Sequence, residues 1–347
     1  MKKKVVVTSA QVPFVKGGAE LMVSMLVKNL AERGFDTELV MLPYKWYPEK
    51  SLYDNLLAWK MLDLSESNGQ KIDLVIATKF PSYGVKHDNK VVWLMHQYRQ
   101  AYDLYDTPVG LSADPCGARI RGNVAKYDKT ALSEAKSLYT ISGNVTERLK
   151  KYNGIDSEIL YHPPSLVGRY RFGEFGNYIL SVGRLDKLKR NELLIEALKY
   201  CDKGIRAKIA GRGPEMEPLK QLAEKCGVSD RVDFLGFVND EDLLGLYAGA
   251  FGVFFAPLDE DYGYITLEAF LSKKPLITCD DTGGVLEFAD HEASAFVSTA
   301  NAEEIGASIN KLYLNKKLGY EMGVTGYERV KDISWDNVID RLTESVR

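Results

Sequence analysis

Residues 251–273 have the sequence FGVFFAPLDEDYGYITLEAFLSK, which contains the clearest structural pattern of the chain. Its first six residues, 251–256, are apolar and predict a buried strand of a parallel sheet. Residues 265–273 predict a helix, so the residues between them form a loop that connects the strand to the helix. A buried strand, a short loop and a helix in this order form the unit from which parallel α/β sheets are built.

Two glutamates lie on either side of the start of this helix. Glu260 lies in the loop before the helix, and Glu268 lies one turn inside it. Gly263 gives the backbone the freedom to bend toward a ligand. The first turn of the helix offers N–H groups and a positive dipole end, which favour a phosphate. Ionised carboxylates accept strong hydrogen bonds from hydroxyl groups. The segment therefore predicts a site that holds a sugar, a pyrophosphate and a ribose in a row.

The same alternation of strands and helices fills both halves of the chain. Near the start, a strand over residues 5–8, a helix with one apolar face and a strand over residues 38–42 form a βαβ unit. A second alternation begins at residue 178 and continues to residue 278. Further helices are predicted at about 303–314, 316–331 and 335–346.

The sequence His162-Pro163-Pro164-Ser165 interrupts this alternation, because proline removes a backbone donor and disfavours helix. We therefore expect an N-terminal domain over residues 1–165 and a second domain over 166–330. A C-terminal helix within 331–347 is expected to pack back on the first domain. Each domain is predicted to be an open, doubly wound, Rossmann-like α/β domain, with a central cleft between the two. Ligands of such sheets bind at the carboxyl ends of the strands.

Composition and charge narrow the class of protein. The chain has 347 residues, 45% of them hydrophobic and 27% charged, which is typical of a soluble globular protein with two domains. The net charge of −3 argues against a nucleic-acid partner. Residues 1–165 carry 22 Lys and Arg against 18 Asp and Glu, whereas residues 166–347 carry 23 against 30. The positive first half favours an anionic surface, such as a membrane or a lipid-phosphate acceptor.

Several classes of protein are disfavoured by the motifs. The four cysteines are scattered, which suits a reducing compartment, and the three valines after Lys4 are too few for a signal peptide. The four histidines form no metal-binding spacing, so we expect no protein-held metal. The pair Gly17-Gly18 is not a dinucleotide fingerprint, and no G-x-S-x-G elbow is present. We expect a cytoplasmic protein, peripheral on the inner face of the membrane.

Cations follow the first predicted strand of the second half. Gly183 opens the turn, and Arg184 and Lys189 follow it, one a fork-shaped cation and one a point charge. Two cations at the end of a strand suit a pyrophosphate, and their position together with the glutamate segment favours ligand binding over a solvated basic loop. Gly211 and Arg212 follow another strand and either form a wall of the nucleotide pocket or belong to an ordinary turn.

In the first half, Gly17 and Gly18 occupy the corresponding strand-to-helix turn. His96 ends a predicted strand at residues 91–95, where ligands of α/β sheets bind, and this position favours a functional histidine over a core one.

Together these residues resemble the family-four retaining glycosyltransferases, which have the GT-B fold, and the resemblance covers nearly the whole chain. It is carried by the loop Gly17-Gly18-Ala19-Glu20, by His96, by Gly183-Arg184 with Lys189, by Gly211-Arg212-Gly213, and by the segment from Glu260 to Glu268. Where the family commonly has Glu-Gly-Phe-Gly, this chain has Glu260-Asp261-Tyr262-Gly263, a departure that bears on the choice of sugar.

The resemblance implies a role for each charged residue. Arg184 and Lys189 would hold the donor pyrophosphate, and Glu268 would accept hydrogen bonds from the ribose hydroxyls. Glu260 would contact the hydroxyls of the donor sugar, and His96 would lie beside that sugar and the reacting centre.

The resemblance also implies that the backbone N–H groups of Gly18, Tyr264 and Ile265 complete the phosphate site. The implied function is a retaining, metal-independent transfer of a hexose from a nucleotide-sugar donor to a glycan or lipid-linked acceptor, in bacterial surface polysaccharide or lipopolysaccharide synthesis. The donor is a substrate, so no cofactor is expected. A nucleotide-sugar epimerase of the same fold and a non-catalytic nucleotide-sugar-binding protein remain as alternatives.

Overall fold

The computed structural model describes residues 2–14 and 17–347, which divide into two compact units. The first unit comprises the chain up to Ser165 together with Ser334–Arg347, and the second comprises Leu166–Ile333. Residues 162–176, which join the two units, contain neither helix nor strand.

The first unit is built on a six-stranded parallel sheet. The strands of this unit are β1 (Lys4–Gln11), β2 (Asp36–Pro43), β3 (Glu66–Ser67), β4 (Gln70–Lys71), β5 (Leu74–Ala77), β6 (Lys90–Leu94), β7 (Ser137–Thr140) and β8 (Glu158–Ile159). The sheet has the order β2-β1-β5-β6-β7-β8, while β3 and β4 form a separate antiparallel hairpin. Strands β5 and β6 are buried along their whole length, as a parallel sheet covered on both faces requires.

In the part of the first unit that the structure describes, five α-helices accompany the sheet. They are α1 (Gly18–Glu32), α2 (Glu49–Met61), α3 (Pro115–Ser133), α4 (Gly143–Asn153) and α11 (Trp335–Leu342). Helix α11 buries its apolar side against this unit, where the rings of Trp335 and Trp93 are 6.2 Å apart and Asp336 pairs with Arg33 at 2.6 Å. The end of the chain is thereby part of the first unit.

The second unit is built on another six-stranded parallel sheet. Its strands are β9 (Tyr178–Val182), β10 (Arg206–Ala210), β11 (Val232–Gly236), β12 (Gly252–Phe254), β13 (Leu276–Cys279) and β14 (Ala295–Ser298). The order is β11-β10-β9-β12-β13-β14, so the chain builds outward from β9 in one direction and then from β12 in the other. This is the doubly wound order of dinucleotide-binding folds.

The helices of the second unit cover both faces of its sheet. They are α5 (Asn191–Ala197), α6 (Met216–Lys225), α7 (Asp240–Gly249), α8 (Tyr264–Leu271), α9 (Ala302–Leu314) and α10 (Lys316–Val330). The core between helices and sheet is apolar and includes Ile179, Phe254 and Ile277 from the strands and Leu194 and Ile309 from the helices. Burial of these side chains fixes the sheet, and the loops at its carboxyl edge are left to form a site.

Candidate active site

The strand order of the second unit reverses between β9 and β12. The two strands are adjacent and parallel, with Gly252 opposite Ile179 and Val253 opposite Leu180. The loops that follow them diverge to opposite sides of the sheet, which leaves a crevice at their carboxyl ends. Leu258 N donates to Leu188 O at 2.8 Å, so the two loops are joined directly.

The loop after β9 places Lys189 at this crevice. Asp186 accepts a hydrogen bond from Leu188 N at 3.1 Å and thereby caps a short 3₁₀ turn over Lys187–Lys189. The Lys189 ammonium pairs with the Glu260 carboxylate, and it lies 5.5 Å from the ring centroid of Phe255. The structure therefore brings together two residues that the sequence predicted for the same site, from loops 71 positions apart in the chain.

Arg184 is more exposed than Lys189. Its side chain is 60% exposed, and its Nε lies 3.9 Å from Asp186 Oδ2. An exposed ion pair of this length contributes little free energy. The guanidinium is accordingly able to exchange this partner for an anionic ligand.

The adjoining residue, Arg190, has a structural role that the sequence analysis missed. Arg190 Nε donates to Ala256 O at 2.7 Å, and its Nη1 donates to Asp281 Oδ2 at 2.7 Å. The hydrogen bond from Arg190 lowers the pKa of the Asp281 carboxyl. Arg190 thus fixes the loop that carries Glu260, although nothing in the sequence distinguishes it from the neighbouring lysines.

Glycine at position 211 is required by a close approach of two loops. Gly183 N donates to Ala210 O at 2.9 Å, and a Cβ at Gly211 would lie 1.7 Å from Gly183 O. The neighbouring Arg212 places its guanidinium carbon 5.8 Å from the ring centroid of Phe237, whose side chain is 71% exposed. A guanidinium and an exposed ring at the carboxyl ends of β10 and β11 provide a flat surface on which an aromatic base can stack.

Helix α8 begins where the sequence predicted a phosphate site. Gly263 has a φ of +81° and directly precedes Tyr264, the first residue of the helix. The loop before it is held by backbone bonds to the segment after β13, with Glu260 N donating to Thr282 O at 3.1 Å. The N–H groups at the start of Tyr264–Leu271 therefore lie in a fixed position beside Glu260.

Glu268 lies one turn into α8 and is held by tyrosines. The hydroxyl of Tyr247, a fully buried residue of α7, donates to Glu268 Oε2 at 2.6 Å. Burial raises the pKa of the Glu268 carboxyl, whereas the Tyr247 and Tyr170 hydroxyls lower it. The hydrogen bond from Tyr247 engages one side of the carboxylate, which has further lone pairs with which to accept from a ligand.

The first unit has a corresponding edge at its own reversal of strand order, between β1 and β5. Gly17 N donates to Glu20 Oε2 at 2.9 Å, and the Lys79 ammonium lies 2.7 Å from Glu20 Oε1. Lys79 follows β5 and is only 9% exposed at its side chain, yet sequence analysis did not single it out. The start of α1 is thus fixed by a nearly buried ion pair.

His96 follows β6 at the same edge of the first unit. Its Nδ1 lies 2.9 Å from Gln97 O, and since a carbonyl oxygen only accepts, Nδ1 carries a proton. This bond fixes the orientation of the imidazole ring. Of the predicted site residues, Gly17, Gly18 and His96 lie in the first unit, and Gly183, Arg184, Lys189, Gly211, Arg212, Glu260, Gly263, Tyr264, Ile265 and Glu268 lie in the second.

Within residues 2–14 and 17–347, no group of three or more acidic, histidine or cysteine side chains is placed to hold a metal ion. Over the same residues, no helix is both long enough and apolar enough to cross a membrane.

The fold and this crevice define a class of protein. Residues 169–329, which lie in the second unit, match the family model described as glycosyl transferases group 1. The fold of the whole chain is similar to that of sucrose-phosphate synthase from Thermosynechococcus elongatus, with a TM-score of 0.77 and 16% identity over 99% of this chain and 98% of that one. The α/β GT-B fold and the resemblance to the family-four glycosyltransferases are thereby confirmed.

Curated relatives share sequence with part of the chain. A GDP-mannose-dependent alpha-(1-6)-phosphatidylinositol monomannoside mannosyltransferase of Mycobacterium tuberculosis is 29% identical over 211 residues, which are 56% of this chain and 54% of that protein. The O-antigen chain mannosyltransferase RfbU of Salmonella typhimurium is 25% identical over 195 residues, 53% of this chain and 55% of that protein. The chain spans about half the length of the curated relatives it matches.

Proposed function

We propose that the protein is a glycosyltransferase that moves a hexose from a nucleotide-sugar donor to a glycan or lipid-linked acceptor of the bacterial surface. The observation that carries the proposal is the arrangement at the β9–β12 crevice. There Arg184, the Lys189–Glu260 pair and the start of α8 adjoin one another, in a unit that matches the glycosyl transferases group 1 family. The two relatives described above are named as mannosyltransferases that act on glycolipid and on O-antigen, which supports a sugar of the hexose type.

The cations are proposed to bind the donor pyrophosphate. Lys189 already has a carboxylate partner, so a phosphate beside it would share the ammonium with Glu260 rather than find an isolated charge. Arg184 and the N–H groups of Tyr264 and Ile265 would contact the remaining oxygens. Preorganised donors of this kind stabilise the charge that develops on a leaving nucleoside diphosphate, so the reaction is proposed to need no metal ion.

The carboxylates are proposed to select the donor. Glu268, oriented by Tyr247, would accept from the ribose hydroxyls, a part of the donor that does not react. Glu260 would accept from hydroxyls of the sugar, while its pairing with Lys189 links sugar binding to phosphate binding. Arg212 and Phe237 would contact the base.

The reaction is proposed to retain the configuration of the sugar. The bond from the anomeric carbon to the donor phosphate breaks as the acceptor oxygen bonds to the same face, and the acceptor proton passes to the leaving phosphate. His96 is proposed to act in sugar transfer from the first unit, with its ring fixed by Gln97 O. All four cysteines are free thiols, which suits the cytoplasmic location expected from the sequence.

The test begins with a panel of nucleotide sugars, each measured by thermal shift. A donor at 100 times its dissociation constant should add about 2.7 kcal/mol of stability. The stabilising donor is then incubated with and without membrane lipid extract from bacteria, and the products are separated. Acceptor-dependent release of nucleoside diphosphate supports the proposal. Conversion of the donor without acceptor would indicate an epimerase, and binding without turnover would indicate a binding protein.

Two variants separate the proposed ribose-binding role of Glu268 from the proposed sugar-binding role of Glu260. Glu268→Gln should mainly raise KM for the donor, because the ribose is bound equally in the ground state and the transition state. Glu260→Gln should mainly lower kcat and weaken the discrimination between donor sugars. Each lost hydrogen bond to a charged group should cost about 1.5–3 kcal/mol. If Glu268→Gln leaves both constants unchanged, or if the two variants show the opposite pattern, the positions assigned to ribose and sugar are wrong.

A further inference from the structure

A network of side-chain hydrogen bonds begins at a buried aspartate of the first unit. Asp128 lies on the inner side of α3 and is fully buried. The hydroxyls of Tyr83 and Tyr102 donate to its two carboxylate oxygens at 2.7 and 2.6 Å. Tyr83 lies in the loop that follows β5, and Tyr102 lies in the loop that follows β6. The carboxylate therefore joins the loops after two neighbouring strands of the sheet.

The network continues from Tyr102 toward His96. Asn153, the last residue of α4, donates from its Nδ2 to the Tyr102 hydroxyl at 3.0 Å. The Oδ1 of the same amide accepts a hydrogen bond from Nε2 of Gln97, the residue that follows His96. One amide group of α4 thereby connects both ends of the loop segment 97–102, so Asn153 holds this segment in a fixed position beside His96.

The Gln97 side chain depends on this contact. It is buried, and its Oε1 has no hydrogen-bond partner among the residues that the structure describes. Loss of Asn153 as a partner would leave both polar atoms of the amide buried and unsatisfied, which is costly. The backbone oxygen of Gln97 in turn accepts from His96 Nδ1 at 2.9 Å. A fixed Gln97 therefore fixes the orientation and the tautomer of the His96 ring.

We propose that Tyr102 and Asn153 are positioning residues for sugar transfer, because they hold Gln97 and thereby set the orientation of the His96 ring. The inference rests on the proposed function, in which His96 acts in sugar transfer. A histidine acts on a substrate efficiently only when its ring is held in one orientation by the residues around it. The hydrogen-bond partner of one ring nitrogen also decides which nitrogen carries the proton. Tyr102 and Asn153 supply that support from the loop after β6 and from α4.

The two tyrosines that donate to Asp128 provide an internal comparison. Both are buried, and their hydroxyls lie at nearly the same distance from the carboxylate. The Tyr102 hydroxyl also accepts from Asn153, whereas within residues 2–14 and 17–347 the Tyr83 hydroxyl is bonded to Asp128 alone. If the hydroxyls served only to satisfy the buried carboxylate, removing either one would have the same effect. A positioning role for the network predicts an effect on His96 from Tyr102 and not from Tyr83.

The experiment compares Tyr102→Phe with the matched control Tyr83→Phe, at a temperature where circular dichroism shows both variants folded. Tyr102→Phe should lower kcat about 10- to 100-fold and leave KM for the donor nearly unchanged, because a displacement of about 1 Å at a reacting centre costs up to about 100-fold. Tyr83→Phe should keep kcat close to that of the natural chain. Asn153→Ala should resemble Tyr102→Phe, and combining the two should lose little more than either alone, since residues of one network do not act additively.

Nitrogen NMR of isotope-labelled histidine gives a second readout that does not depend on turnover. The His96 signals are identified by their absence from His96→Gln. At a pH where the ring is neutral, the natural chain and Tyr83→Phe should show a protonated Nδ1, whereas Tyr102→Phe should show a mixture of both tautomers. Equal losses of kcat in the two tyrosine variants, or an unchanged His96 signal in Tyr102→Phe, would overturn the proposal. If the natural chain turns over no donor, the proposed function fails, while the His96 signals still decide whether the network sets the ring.

Discussion

At the scale of single residues, the charges of the crevice could be predicted from the sequence but their partners could not. Lys189 and Glu260 were assigned to one site because each follows a buried strand of the same predicted sheet, and the structure pairs them. Tyr247 was not predicted, because its hydrogen bond to Glu268 depends on the packing of α7 beside α8. No local pattern in a sequence specifies which tyrosine of one helix reaches a glutamate of another.

The Tyr247–Glu268 bond leads to a prediction about pH. The hydroxyl donates to the carboxylate and favours its ionised form, which is the form that accepts from a ribose. Tyr247→Phe removes that donor, so the pKa of Glu268 should rise and donor binding should be lost at a higher pH than in the natural chain. Near neutral pH the dissociation constant should increase about tenfold, the equivalent of one hydrogen bond to a charged group.

The measurement is the dissociation constant of the donor as a function of pH by calorimetry. Tyr178→Phe serves as the control, because the Tyr178 hydroxyl also lies in the second unit but donates to Leu246 O at 2.8 Å. If Tyr247→Phe loses donor binding at the same acidic pH as the natural chain, the Tyr247 hydroxyl does not control the ionisation of Glu268, and the ring only fills space.

A buried carboxyl in the first unit gives a second prediction. Asp128 is fully buried, and burial raises its pKa to about 7, against the hydrogen bonds from Tyr102 and Tyr83 that lower it. The unfolded chain releases this proton near the ordinary value of 3.8, so between these pH values the folded state binds more protons. The stabilisation is therefore complete below pH 3.8 and is lost as the pH rises through about 7.

Asp128→Asn should remove this dependence, which is worth on the order of 4 kcal/mol across the interval. The free energy of unfolding, measured with urea at a series of pH values, should fall less steeply from acid to neutral pH in the variant. Exposed Asp332→Asn is the matched control, since Asp332 belongs to the second unit whereas the buried tyrosines belong to the first. Parallel curves for Asp128→Asn and the natural chain would contradict the assignment.

At the scale of elements, strands and helices with a continuous apolar pattern were predicted well. Helix α8 begins at Tyr264, one residue before the prediction, and β12 lies inside the predicted strand at 251–256. For the residues that form α3 and α4, the sequence left helix and loop open. In α3 the residues between the buried positions are mostly charged or small, so its apolar face is sparse and tertiary packing decides the structure.

The turn before α8 gives the prediction at this scale. Gly263 has a positive φ, and a Cβ there would lie 2.9 Å from Val285 Cγ2 and 3.2 Å from the Phe255 ring. Gly263→Ala should therefore destabilise the fold by about 1–2 kcal/mol from the backbone conformation alone. Movement of the turn should also displace the first N–H groups of α8, so the affinity for the donor should fall as well.

Thermal unfolding and donor titration of the same variant measure both effects. The control is Gly245→Ala in the middle of α7, where an added Cβ meets no atom within 4 Å. That substitution should stabilise the helix by about 0.5–1 kcal/mol, because alanine loses less backbone entropy than glycine. A Gly263→Ala variant that is as stable and binds as well as Gly245→Ala would refute the argument from strain.

At the scale of the whole molecule, the sequence predicted two α/β domains and the return of the C-terminal helix, but not the order of the strands. Strand order depends on which side of a growing sheet each helix packs, and both sheets reverse direction at one point. The structure adds that α11, although it follows the second unit in the chain, contributes four buried side chains to the first: Trp335, Val338, Ile339 and Leu342.

The position of α11 predicts which unit a core mutation will destabilise. Ile339 is fully buried, so Ile339→Ala should cost about 2–5 kcal/mol through lost burial and the cavity that remains. The cost should fall on the first unit, and hydrogen exchange should accelerate in β5 and β6 while the amides of β9, β10 and β12 keep their protection. The matched control is Ile309→Ala, since Ile309 is equally buried but belongs to α9 and the core of the second unit. In this variant, exchange should accelerate in β9, β10 and β12, while the amides of β5 and β6 keep their protection. If Ile339→Ala accelerated exchange in β9 and β10 as much as in β5 and β6, the units would unfold as one, and the division of the chain at Ser165 and Ser334 would have no energetic meaning.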